Sequence, residues 1–247
     1  MQRSETLLGE PDLPREYSHV IDGQYRESSG TESIPVRYPY DSTHWATIPR
    51  GTVGDVDAAV LAARRAFEDS AWSGMLPSER RAILHEIADV AEAHADELGE
   101  LETLQNGKLV REMRGQISGV AQWFRHFAGK CDEIHGRVNP NEVKDGGMFN
   151  YTVKEPVGVV GAITPWNSPL MNATFKLAPA LAAGNTFVHK PSEHTPVSAS
   201  RFADLVAEET ALPDGVYNVV LGDGEETGAA LASHEDVDKL AFTGSTS

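Results

Sequence analysis

Val157-Gly158-Val159-Val160-Gly161-Ala162-Ile163-Thr164 is the stretch that decides the fold. It runs apolar without alternation, so as a strand it has to be buried on both faces, as the strands of a parallel sheet are. Just downstream, residues 169–183 read as a helix that opens on Pro169 and stops at Gly184, a residue suited to a left-handed end. Residues 186–189 form the next strand and 195–210 the next helix. A third strand (216–221), a short helix (226–233) and a fourth strand (239–242) follow, running into Gly244-Ser245-Thr246-Ser247. Strands alternating with helices give an α/β fold on a parallel sheet with flanking helices and right-handed crossovers. Gly-Ser-Thr-Ser after an apolar strand is how a phosphate-cradling turn and a helix N-terminus begin. The helix itself does not follow, so truncation is the expectation.

Working upstream, residues 137–143 and 148–154 read as two strands around the turn Lys144-Asp145-Gly146-Gly147. This hairpin has no strong apolar face, and an isolated ribbon is marginal in water, so it is expected to pair with something else. Before it lies a helical layer. Asp55 opens one helix, with Val56, Ala59, Val60, Ala63 and Phe67 at helical spacing. A second starts near Pro77, a third spans 95–105 and stops at Asn106-Gly107, and a fourth spans 110–134 with Ile117, Val120, Phe124 and Phe127 on one stripe. Residues 1 to 50 are loop-rich, with short strands expected at 18–25 and 33–40. The chain thus divides into 1–135, a hairpin at 136–154, and a strand–helix unit at 155–247.

Composition narrows the function. The formal net charge of −16 repels phosphate backbones and anionic membrane faces, so neither nucleic acid nor membrane is an expected partner. No apolar run is long enough to span a bilayer, and the polar opening does not resemble a secretory signal. A single cysteine, Cys131, rules out an internal disulfide framework and fits a cytoplasmic location. The nine histidines lack ligand spacing, so no metal is expected.

The segment Thr164-Pro165-Trp166-Asn167-Ser168-Pro169-Leu170 resembles the Pro-Trp-Asn-Phe-Pro motif of the aldehyde dehydrogenase superfamily, with Ser168 in place of the aromatic. The resemblance continues through residues 176–185, Lys190-Pro191-Ser192-Glu193, the glycine turn 222–228 and Phe242-Thr243-Gly244-Ser245. Upstream it includes Glu102-Thr103-Leu104-Gln105-Asn106-Gly107-Lys108 and Ile134-His135-Gly136. Several long motifs in one order are far more specific than any short match. The resemblance implies a Rossmann-like NAD-binding domain, a protruding oligomerisation hairpin and a catalytic domain, the last absent here. It implies oxidation of an aldehyde to an acid through a cysteine thiohemiacetal, with hydride transfer to NAD(P), in a homo-dimer or homo-tetramer. In the family the general-base Glu-Leu-Gly-Gly motif and the nucleophilic cysteine lie beyond the Phe-Thr-Gly-Ser turn. Neither is in this sequence, so the chain alone is expected to be inactive. Two alternatives stand beside this reading: an inactive NAD-binding or interaction fragment, and a CoA-acylating relative.

Asn167 can donate to a substrate oxygen, the role the resemblance implies, or cap the helix that starts near Pro169. Glu193 follows the second strand, where an acidic residue accepts both ribose hydroxyls of NAD and repels the 2′-phosphate of NADP. Lys190 nearby partly offsets that repulsion, and NAD is expected in preference to NADP. Ser192 sits between them. The turn 222–228 spells G-x-G-x-x-x-G, a weak motif; the resemblance brings Gly224 and Gly228 to the adenine side, while Asp223, Glu225 and Glu226 would repel phosphate. The pyrophosphate is expected at Gly244 and Ser245, beside Phe242 and Thr243. Ile163, Thr164, Pro165 and Trp166 are expected to wall the cofactor, with core packing as the other reading of Trp166. Cys131 and His135, four apart, would share one face of a helix, but a structural cysteine is the expectation.

Overall fold

A computed structural model describes residues 14–140 and 147–245. Five short strands open it: β1 Arg15–Glu16, β2 His19–Ile21, β3 Gln24–Arg26, β4 Ser33–Arg37 and β5 His44–Pro49. The helices α1 Val53–Glu68, α2 Ser70–Ser73, α3 Pro77–Ala93, α4 Ala95–Asn106 and α5 Val110–Ala128 follow. A pair of two-residue strands, β6 Val138–Asn139 and β7 Asn150–Tyr151, precedes the alternating unit. That unit comprises β8 Val159–Ile163, α6 Pro169–Ala182, β9 Thr186–Lys190, α7 Val197–Glu209, β10 Tyr217–Val219, α8 Ala229–Ser233 and β11 Lys239–Phe242.

The main sheet runs β11-β8-β9-β10-β2-β3. Its β8–β9, β9–β10 and β8–β11 pairings are parallel, as the alternation requires. The sheet is nevertheless mixed, because the β2–β3 hairpin pairs antiparallel with β10 and closes that edge. The hairpin turns on Asp22 and Gly23, both at positive φ (56° and 72°), the combination that matches the twist of two-residue turns. His19 locks it down. Its Nδ1 accepts from Leu221 N at 3.0 Å, and its Nε2 lies 3.4 Å from Asp55.

Two apolar layers cover the sheet. Val159, Val188 and Val220 point to one face with Val56, Ala59, Val60 and Ala63 of α1 and Leu231 of α8. Val160, Ala162, Phe187 and Val219 point to the other, against α3, α5, α6 and α7. All of β8 but its last residue is buried, as its continuous apolar run demands.

Helix starts follow their caps. α1 begins at Val53 because Thr52 and Asp55 form a reciprocal capping box, so Asp55 sits inside the first turn instead of opening it. Burial opposes ionisation of Asp55, but hydrogen bonds from Ser28, Thr52 and Ser29, with the charge of His19, hold its carboxyl well below the usual range. α4 ends at Gly107 in the left-handed region, φ 77°. α5 stops at Ala128, six residues short of the expected 134; Gly129 and Lys130 lead into a single 3₁₀ turn at Cys131–Glu133. The expected strand at 33–40 is β4, and β5, its antiparallel partner, is an element the sequence reading did not name. Among the described residues, β6 and β7 pair as Val138↔Tyr151 and Asn139↔Asn150, with Thr152 N–H donating to the Arg137 carbonyl at 2.8 Å beside them. Lys144, Asp145 and Gly146 of its turn lie outside the described residues, as do Thr246 and Ser247.

Candidate functional site at the carboxyl edge of the sheet

The chain steps from β8 to β9 to β10 and then returns to the other side of β8 for β11. A reversal of strand order opens a crevice beyond the carboxyl ends of the flanking strands, the position where ligands of open α/β sheets bind. The residues expected to hold the cofactor lie at this edge: Ile163, Lys190 and Phe242 end β8, β9 and β11, and the others lie on the loops that follow. Residues 164–168 follow β8, Ser192 and Glu193 follow β9, Gly224 and Gly228 follow β10, and Thr243 to Ser245 follow β11.

The loop after β8 is tied down at both ends. Thr164 is buried; its N–H donates to the Lys190 carbonyl at 3.2 Å, and its hydroxyl shares a 2.8 Å hydrogen bond with His189 Nε2. Complete burial, with Lys176 and Lys190 nearby, pushes the imidazole of His189 down to about 3, so it is neutral. Trp166 is 58% exposed, which removes the core-packing reading and leaves its ring as a wall of the edge. Asn167 is exposed, and it does not cap α6. The cap position belongs to Ser168, whose side chain makes no capping bond.

Glu102, reaching across from α4, does that work instead. Its Oε1 accepts from Leu170 N in the first turn of α6 at 3.2 Å and from Ser198 Oγ at 2.6 Å. Gln105 and Asn106 donate to the same carboxylate, at 3.3 and 3.4 Å. Burial raises this acid to about 7 against the pull of those bonds and of Lys108. Lys108, in the turn between α4 and α5, donates through Nζ to the Asn167 carbonyl and, at 3.0 Å, to Ser168 Oγ. Gln116 of α5 donates to the same hydroxyl at 3.3 Å. The Asn167-Ser168 segment is therefore held by the α4–α5 turn and by α5.

At the end of β9, Lys190 is 2% exposed and its Nζ lies 3.3 Å from Glu193, whose carboxylate reaches the surface. Burial pushes the ammonium down from its usual value, and Glu193 opposes the shift. Glu193 and Trp166 share a cleft of about 570 Å³ with Pro35, Arg37 and Asn106. After β10, Gly224–Gly228 forms one wide turn whose start is capped by Asp223, which accepts from Glu226 N at 2.9 Å. Arg50 is ion-paired to Asp223, so this carboxylate is compensated and does not act as the bare repelling charge its sequence position suggested. Gly224 has nothing within 4 Å of where a Cβ would stand, leaving its backbone open to close approach. Gly228 is buried beside Ile163.

After β11, Phe242, Thr243, Gly244 and Ser245 are exposed, and the Phe242 ring lies against Gly244. Lys176 of α6 donates to Thr243 Oγ1 at 2.6 Å, bridging the two sides of the crevice. Burial pushes the Lys176 ammonium down. Lys176, Lys108 and Glu102 were part of matched motifs, yet nothing local announced these contacts: Lys108 and Asn167 are 59 residues apart. Cys131 is elsewhere. It lies buried beyond α5, 3.6 Å from the Phe127 carbonyl, and burial raises its thiol. The helix has ended before it, so no shared helical face joins it to the exposed His135. Among the described residues no group of three His, Cys, Asp or Glu is placed to hold a metal.

The aldehyde dehydrogenase family model matches residues 25–247, nearly the whole chain. This chain belongs to the aldehyde dehydrogenase family. It is 46% identical over 227 residues to the NADP/NAD-dependent aldehyde dehydrogenase PuuC of Escherichia coli (strain K12), covering 92% of this chain and 45% of that protein. It is 44% identical over 234 residues to the phenylacetaldehyde dehydrogenase of Pseudomonas fluorescens, covering 92% and 46%. Among solved structures, the NAD+ complex of an aldehyde dehydrogenase from Bacillus cereus superposes with a TM-score of 0.89 at 40% identity, covering 94% of this chain and 47% of that one. Betaine aldehyde dehydrogenase from Staphylococcus aureus in complex with NAD+ gives 0.86 at 39% identity, covering 91% and 44%. The chain spans about half the length of the relatives it matches.

Proposed function

We propose that this chain is the NAD-holding half of an aldehyde dehydrogenase that oxidises an aldehyde to a carboxylic acid. The observation that carries the reading is the convergence of four loops on the β8–β11 switch point, with a half-buried carboxylate, Glu193, just past the end of β9. The donor set fits a dinucleotide. Glu193 accepts the two ribose hydroxyls and disfavours a 2′-phosphate, Gly224 and Gly228 let the backbone approach the adenosine, and Gly244 and Ser245 face the pyrophosphate. Ile163, Thr164, Pro165, Trp166, Ser192, Phe242 and Thr243 wall the site. When bound, NAD supplies the hydride acceptor.

Asn167 points its side chain into solvent beside this crevice, where its amide donates to the aldehyde oxygen as negative charge develops there. On this reading the nucleophile is not Cys131, which is buried, and comes from outside residues 1–247. The exposed apolar residues of the β6–β7 hairpin, Val138, Phe149 and Tyr151, serve subunit contact in a dimer or tetramer. Among the described residues, no helix is long and apolar enough to cross a membrane.

Two outcomes test this. The purified chain by itself forms no NADH from NAD and an aldehyde; sustained turnover by mass-verified material would place a nucleophile inside it. Glu193→Ala weakens NAD binding by about 10- to 100-fold, the range for hydrogen bonds to a charged group. Unchanged affinity in calorimetric titration removes Glu193 from the site.

A further inference from the structure

An asparagine that stabilises a developing oxyanion works in only one orientation, because its amide has a donor end and an acceptor end of nearly equal size. In this chain the orientation of Asn167 is set by a second asparagine one turn into α6. Asn172 Nδ2 lies 3.0 Å from the carbonyl oxygen of Ser168 and 3.3 Å from Asn167 Oδ1. The Ser168 carbonyl can only accept. It therefore requires the nitrogen of Asn172 on that side, since the opposite orientation would set two oxygens against each other. With a donor fixed there, the near atom of Asn167 has to be its oxygen. Its NH₂ is then turned outward, and among the described residues that NH₂ has no acceptor. Lys108 holds the Asn167 carbonyl from the other side, so both the peptide and the side chain are constrained.

We propose that Asn172 is a positioning residue that presents the donor end of the Asn167 amide to the substrate oxygen. This rests on the reading of Asn167 as the oxyanion donor. The chain of orientation runs from a backbone carbonyl, whose polarity cannot change, through Asn172 to Asn167. Asn172 touches neither substrate nor cofactor in this account; its effect passes wholly through Asn167.

Asn172→Asp tests it most sharply. A carboxylate at this position only accepts, so it draws the Asn167 NH₂ toward itself and turns the oxygen outward. In the complete enzyme kcat is expected to fall by about 100-fold, as when an oxyanion donor is removed, with KM for NAD unchanged. In an Asn167→Ala background the same substitution is expected to add nothing, whereas a purely structural role would add its loss again. Asn172→Met, which removes the donor without adding charge, leaves both amide orientations populated, and kcat drops by about twofold to fivefold. In the present chain, without any turnover, the Asn167 side-chain amide resonances are expected to move downfield in Asn172→Asp as the NH₂ gains a carboxylate acceptor. Wild-type kcat in both variants, or Asn167 amide resonances that do not move, overturns the proposal. An enzyme that oxidises no aldehyde at all overturns the functional reading instead, and the resonance measurement still decides the orientation.

Discussion

Asn167→Ala lowers kcat for aldehyde oxidation by about 10²–10³-fold in the complete enzyme, the loss that follows removal of one preorganised oxyanion donor. The size comes from the rigidity of the donor. Lys108 fixes its carbonyl, Asn172 its amide oxygen, and Glu102 the first turn of the helix behind it, so little reorganisation is left for the moment of reaction. Alanine removes the side chain while the backbone bonds to Lys108 and Leu170 survive. Affinity of the chain for NAD, measured by calorimetry, should therefore stay within about twofold. A variant that keeps wild-type kcat would show that the oxygen is stabilised elsewhere.

Glu102→Ala destabilises the chain by about 3 kcal/mol or more. The substitution leaves a cavity and strands buried donors from Leu170, Ser198 and Gln105, each of which costs when unpaired, along with the partly buried Asn106. Chemical denaturation measures this directly, and a loss below about 1 kcal/mol would show that water replaces the carboxylate. The same residue gives a pH signature. Its acid ionises near 4.5 in the unfolded chain and at about 7 in the fold. Between those values the folded protein holds a proton that the unfolded chain releases, so the group favours folding most below 4.5 and loses that contribution as pH rises through 7. Glu102→Gln does not titrate. Its stability relative to the wild type should improve from pH 5 to pH 8, by an amount on the order of 2–3 kcal/mol. A difference that does not change with pH means that the carboxyl group keeps one protonation state throughout.

Much of the fold was legible because its signals are local. The apolar run before Thr164, Pro169 opening a helix and Gly184 ending it all describe structure within a few residues of themselves. What stayed hidden is non-local. The expected strand at 18–25 is instead the β2–β3 hairpin, which turns at Asp22-Gly23 and is held where His19 meets Leu221, 202 residues away. Asp55 reads as a residue that opens α1; its buried bonds to Ser28 and Ser29 depend on a loop packing back across 27 and 26 residues. The end of α5 was overestimated because an apolar stripe continues past the turn at Gly129.

The site divides the same way. Trp166, Asn167, Lys190, Glu193 and Gly244 could be named from motifs, and all lie on one sheet edge. The residues that hold them could not. Helix capping by Glu102 comes from a neighbouring helix 68 residues back, and Ser168, the residue at the cap position, gives no sign of it. Asn172 looks like an ordinary polar residue on a helix. Only the position of the Ser168 carbonyl makes its orientation meaningful.

The central claim is that the carboxyl edge around β8 and β11 holds NAD. An NAD titration of this chain, followed residue by residue through its amide and indole resonances, tests that most directly. The expected result is saturable movement at Trp166, Lys190, Glu193, Gly224 and Gly244, with residues of the β6–β7 hairpin unmoved and NADP binding more weakly. Saturable binding that leaves those five residues unmoved, or no binding at millimolar NAD, would contradict it.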